Sequence, residues 1–311
     1  MSTRCAWLSL LATVVGGVTL LTAAATTFSG ECKRKPEYPS IEEDIKQLAE
    51  RAKRGEPDAQ FVLGLDYEIG FGVDRSYSTA KDWYQAAADQ GDAEAQFRLG
   101  RLWEEAKDHP PPNYGKAAVW YRKAAEQGNP DAQTRLGSLY ERGRGVMRDD
   151  AEAAQWYRKA AEQGNPNAQY RLGLLYELGR GVPQDSAEAA AFYRKAAVVI
   201  DIGSLGLDGF GYNGDASLAL ARLYHYGRGV RQDDAEAYFW IRYALDIDET
   251  DTQFAALLYA VKSRLTPDQI LQADKRKSQM EMQGSASMYS KRRMDALIQK
   301  GHRAYHVPNQ N

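Results

Sequence analysis

Cysteine is nearly absent: 311 residues contain two, Cys5 and Cys32. That excludes a fold held by a disulfide framework, so stability has to come from burial. Histidine is scarce too, at His109, His225, His302 and His306. His302 and His306 have the four-residue spacing of zinc ligands on a helix, but no glutamate or third ligand accompanies them, and no metal is expected. Charge of one sign is also lacking. Forty basic residues against 42 acidic ones give a net charge of −2, without the cationic excess that draws proteins to nucleic acid. No nucleic-acid partner is expected. No serine, cysteine or carboxylate constellation for nucleophilic or acid–base catalysis stands out, so the reading is non-enzymatic, with no catalytic residue and no cofactor.

Long apolar runs are confined to the amino terminus. From Cys5 to Gly30 there is no charge, with an apolar heart from Leu8 to Leu21 followed by Ala23-Ala24-Ala25. That heart is short against the roughly 20 residues of a spanning helix, and the alanines fit a signal-peptidase site. Residues 1–30 therefore read as a signal peptide cleaved near Ala25 or, since the whole uncharged stretch is just long enough to span, as an uncleaved anchor. Membrane contact is expected only through that uncleaved segment. Lys33-Arg34-Lys35 resist translocation, and Glu31 before Cys32 argues against a lipid anchor. Residues 31–40 read as a linker containing "KPEYPS".

What is abundant is repetition. "DAQFVLGLDYEIGFGV" from Asp58, "EAQFRLGRLWEEAKDH" from Glu94, "DAQTRLGSLYERGRGV" from Asp131, "NAQYRLGLLYELGRGV" from Asn167 and "ASLALARLYHYGRGV" from Ala216 align, with a second block such as "AAQWYRKAAEQG" after each. The period is 36 or 37 residues, then 48 for the last step. A fixed period of this size marks a solenoid whose units bury their apolar faces only by stacking. Ala132, Leu136, Leu139 and Tyr140 fall on one helix face, and so do Ala153, Tyr157, Ala160 and Ala161. Asn129-Pro130 and Asn165-Pro166 predict the starts of first helices; Asp149-Asp150 and Asp185-Ser186 predict the starts of second ones. Gly128 and Gly164 predict second-helix ends. Gly100, Gly137 and Gly173 lie inside helices, where each costs about 1 kcal/mol against alanine, and predict close helix approach. "GRGV" follows a helix rather than a strand, so it reads as punctuation and not as a phosphate loop.

The pattern "AQxxLGxLYExGxGVxxDxxxAxxWYRKAAEQG", over about Asp58 to Leu245, resembles the Sel-one-like repeats, relatives of the tetratricopeptide repeats. The resemblance implies an all-α fold: a right-handed superhelical solenoid of antiparallel helix pairs, with five repeats plus capping helices. It also implies protein–protein adaptor work in a bacterial envelope, and with the export segment a periplasmic location. One concrete partner is a secreted toxin or effector that the protein neutralises as an immunity protein; the other class left open is an envelope hydrolase or an assembly scaffold. The units depart from the pattern at "AKDHPPPNYGK", Ala106 to Lys116, and in a 12-residue excess within Val198 to Ser217. Residues 41–57 read as the N-terminal cap, 58–250 as the repeats with an insertion at 198–214, 251–278 as C-terminal capping helices, and 279–311 as a basic tail.

Framework positions recur between units while others vary. The varying positions on the first helices lie four apart: Phe61, Leu65 and Ile69; Phe97, Arg101 and Glu105; Thr134, Ser138 and Arg142; Tyr170, Leu174 and Leu178; Leu218, Arg222 and Tyr226. That spacing gives one stripe per helix. The resemblance places first helices on the concave face, which makes this stripe the expected partner groove unless its apolar members pack on their neighbours. Phe210 and Tyr212, in the glycine-rich insertion, are further candidates for partner contact or for covering apolar surface.

Overall fold

The computed structural model describes residues 41–105, 111–198, 212–245 and 252–280. The export segment, the linker, the insertion through residue 211 and the tail beyond 280 lie outside the described residues. The main compact unit begins at Ile45, within the first helix.

Thirteen helices and no strand are seen among the described residues. After α1 (Ile41–Lys53) come five pairs: α2 (Pro57–Ile69) with α3 (Tyr77–Asp89), α4 (Ala93–Glu105) with α5 (Tyr114–Glu126), α6 (Pro130–Arg142) with α7 (Asp150–Glu162), α8 (Pro166–Leu178) with α9 (Ser186–Val198), and α10 (Tyr212–Tyr226) with α11 (Asp234–Leu245). Two more helices follow, α12 (Thr252–Lys262) and α13 over residues 267–280. The chain is an α-solenoid, as the period requires.

The local signals act where the sequence puts them. Asn129 and Asn165 accept from the amides of Ala132 and Ala168. Asp149 and Asp185 accept at the second-helix starts, from Ala151 and Glu152 and from Ala187 and Glu188. Thr266 accepts from the Gln269 amide at the start of α13. The altered turn of the second unit rejoins the frame at Asn113, whose amide donates to the Trp103 carbonyl as Asp149 donates to Tyr140. One boundary differs from expectation: α10 starts at Tyr212, so the last residues assigned to the insertion are helical.

The core is a series of clusters along the stack, not one centre. Alanines and one tyrosine of each second helix meet leucines of the next first helix; Ala153, Tyr157, Leu172 and Leu175 form one such set. Each of the first four units also carries a buried glutamine, a place taken by Ser217 in the fifth. Gln133 Nε2 donates to the Ala125 carbonyl, and its Oε1 accepts from Gln163 Nε2. Gln96 does the same with Ala88 and Gln127. In the fourth unit Gln169 donates to Ala161, but its Oε1 is buried without a partner, because the sequence has Val199 at the register of Gln163. Gln133→Leu, which breaks two bonds, is expected to cost about 1 kcal/mol more than Gln169→Leu, which breaks one and removes an unsatisfied acceptor. Urea denaturation of the two variants measures the difference.

Candidate functional site

The glycines inside first helices mark a second internal contact. A Cβ on Gly64, Gly100, Gly137 or Gly173 would meet the ring of Tyr84, Tyr121, Tyr157 or Tyr193 at 2.6–2.9 Å. The close approach lets each phenol reach a glutamate near the end of the first helix: Tyr84 donates to Glu68, Tyr121 to Glu104, Tyr157 to Glu141 and Tyr193 to Glu177, at 2.6–2.9 Å. Burial, with the adjoining carboxylate, pushes these phenols far up, so they remain donors. The next unit adds an arginine to three of these glutamates: Arg98 to Glu68 at 3.5 Å, Arg135 to Glu104 at 3.9 Å, Arg171 to Glu141 at 4.0 Å.

All members of this network change together in the fifth unit. Ala221 replaces the glycine, Ile241 the tyrosine, His225 the glutamate and Ala219 the arginine. His225 is buried and its Nδ1 lies 2.6 Å from Asp234, whose other oxygen is 3.6 Å from Arg264. The sequence shows His225 only as a departure from the glutamate column; its coupling to Ile241 and Ala221 appears once the units are aligned in space.

"GRGV" is a clasp between units. Gly143 and Gly179 are left-handed helix ends with φ of 64° and 63°. The second glycine abuts the start of the preceding second helix: a Cβ on Gly181 would lie 2.2 Å from the Asp150 carbonyl carbon. Arg180 then grips Asp150 through two bonds of 3.0 and 3.1 Å, which with Arg148 holds that carboxyl down at about 2. No room is left for a phosphate.

The variable stripe divides. Phe97, Arg101 and Leu218 are buried. Arg101 is held by Glu105 on its own helix, and Thr134 donates to the Pro130 carbonyl. Phe61, Phe97 and Tyr170 lie 5.8–5.9 Å from the tyrosine rings of their own units, so the first stripe position serves internal packing as well as the surface. Leu65, Ser138 and Leu174 are half-buried, whereas Arg142 and Arg222 are exposed. Leu178 is 57% exposed and Tyr226 59%. Phe210 and the side chain of Tyr212 lie outside the described residues.

Among the described residues no three histidine, cysteine or acidic side chains gather as a metal would require, and no helix is long and apolar enough to cross a membrane. His109, His302 and His306 lie outside them.

The Sel1 repeat family matches residues 57–92, 93–129, 130–165, 166–197 and 214–246, the five helix pairs in turn. A Sel1 repeat protein from Oxalobacter formigenes is 30% identical, covering 76% of this chain and 93% of its own, with a TM-score of 0.61. A protective antigen present in uropathogenic Escherichia coli strains, displaying an SLR fold, is 28% identical over 80% of this chain and 59% of that one, at 0.50. An immunity protein from Pseudomonas aeruginosa is more distant, 22% identical over 70% and 78% of the two chains with a TM-score of 0.40. No curated protein matches the chain. With matched units spanning more than half of its length, the chain belongs to the Sel1 repeat family, whose members are protein-interaction scaffolds.

Proposed function

We propose that the protein is a non-enzymatic scaffold of the cell envelope that holds a protein partner on the face formed by the first helices of its fourth and fifth units. The observation that carries this reading is the pair Leu178 and Tyr226. They occupy the same column of consecutive units, as Ile69 does in the first, and all three are more than half exposed while Leu175 and Leu223, three residues earlier on the same helices, are buried. Leu174 and Arg222 flank them. An exposed apolar pair bordered by a cation has the makeup of an interface anchor. The pair also sits where the glutamate–arginine ladder ends, since Ala219 offers Glu177 no guanidinium.

The envelope location rests on the uncharged stretch from Cys5 to Gly30 and its alanine-rich end. Within that compartment the partner class we favour is an exported effector that the scaffold neutralises. A photo-cross-linking amino acid at position 178 or 226 is expected to trap one discrete protein from envelope extract, and the same label at Met147, 89% exposed on a turn, is expected to trap none. Equal trapping from all three positions, or none from 178 and 226, rejects this face.

A further inference from the structure

A cavity of about 570 Å³ between α9, the end of α10, α11 and α13 is lined by Arg194, Tyr224, Arg231, Glu236, Trp240 and Arg276 among others. A cavity of about 550 Å³ occupies the equivalent groove one unit earlier, with Phe192 in place of Trp240 and Pro183 in place of Arg231. The earlier groove sets Arg158 and Lys195 against three carboxylates. In the later one, three arginines face Asp233 and Glu236. One unit along, the same site has exchanged two groups that cannot donate for two that can, and its charge balance has changed sign.

Trp240 supplies the second observation. It is 3% exposed, and its indole Nε1 is buried without a hydrogen-bond partner. In the third unit Trp156 Nε1 donates to Glu152, four residues earlier, at 3.0 Å. Glu236 is the corresponding carboxylate, but it pairs with Arg276 from α13, whose guanidinium also lies 4.3 Å from the Phe239 ring centre. Buried donors in folded proteins are almost always satisfied, so this one calls for an acceptor. Arg231 is exposed, with no ion pair or hydrogen bond among the described residues. Arg194 commits one N–H to the Tyr224 hydroxyl.

We propose that this groove binds a carboxylate of an acidic peptide segment. Arg231 and Arg194 supply the charge, the Trp240 N–H supplies a neutral donor, and Tyr224 and Met280 receive an apolar neighbour of the bound residue. Asp233 and Glu236 on the rim oppose a doubly charged phosphate more strongly than a singly charged carboxylate, which favours the peptide. The groove contains none of Leu174, Leu178, Arg222 and Tyr226, so this site and the first-helix face can fail separately.

Fluorescence anisotropy of the full chain with a labelled hexapeptide of alternating leucine and glutamate, and with its glutamine counterpart, tests the assignment. The acidic peptide is expected to bind and to weaken with added salt, while the glutamine peptide is not bound. Arg231→Gln is expected to weaken binding at least tenfold and Trp240→Phe several-fold, with circular dichroism unchanged; Arg158→Gln in the earlier groove has no effect. The site is overturned if the acidic peptide fails to bind at millimolar concentration, if the glutamine peptide binds equally, or if Arg231→Gln binds like the parent. Arg231-dependent binding of phosphatidylglycerol vesicles without peptide binding also overturns it, in favour of a lipid.

Discussion

Gly181→Ala is expected to lower the unfolding free energy by at least about 3 kcal/mol and to separate the melting of the first three units from that of the last two. Two costs add. The residue has φ of 69°, a left-handed conformation that costs an L side chain about 1 kcal/mol. Its new Cβ would also stand 2.2 Å from both the carbonyl carbon and the oxygen of Asp150, and a backbone group cannot swing aside as a side chain can. Relief requires moving the turn away from α7, which also breaks the two bonds from Arg180 to Asp150. The neighbouring glycines grade the effect. Gly164, with φ of 89° and nothing within 4 Å of a built Cβ, is expected to lose only the conformational part on mutation to alanine; Gly179, whose Cβ would be 3.0 Å from the Gln184 Cβ, falls between. Denaturation of the three alanine variants checks the order. Equal losses at Gly164 and Gly181 would mean that backbone conformation, not contact between units, is what the motif secures.

The helix pairs were legible because their signals are local and repeated: an asparagine cap, a proline after it, a glycine at the far end. The same holds for Gly137, whose cost inside a helix pointed to close approach, although its target, Tyr157, becomes visible only in space. The candidate face was half legible. A stripe read at four-residue spacing identifies one side of a helix, but it cannot say that Phe97 and Leu218 turn inward while Leu178 and Tyr226 remain open, since depth is set by the neighbouring unit. The ladder through Glu68, Glu104 and Glu141 was hidden for another reason: each glutamate is served by a tyrosine about 16 residues ahead and an arginine about 30 ahead, and only stacking brings them together. Positions outside the variable stripe read as framework, and that is where the most unusual residue of the first unit stands.

Asp66→Leu is expected to stabilise the protein by about 3 kcal/mol at pH 7.5. The position is a core one: Leu102, Leu139, Leu175 and Leu223 occupy it in the later units, all buried. Asp66 is itself 8% exposed, and burial pushes its carboxyl up to about 6. An aspartate in the unfolded chain titrates near about 3.9, so the folded state holds the proton more tightly. Stability from this group is therefore greatest below about pH 4 and falls as the pH rises through about 6, by about 1 to 2 kcal/mol allowing for partial solvation. Asp150, held down at about 2, loses its contribution only at lower pH and does not interfere in this window. Asp66→Asn is expected to abolish the decline between pH 4.5 and 7.5 without the apolar gain, and Asp66→Leu to abolish it and add the leucine's burial, about 2 kcal/mol. Urea denaturation at the two pH values separates these contributions. A parent protein as stable at pH 7.5 as at 4.5 relative to Asp66→Asn would show that the carboxylate is solvated, and a destabilised leucine variant would show that the first unit packs this position differently from the other four.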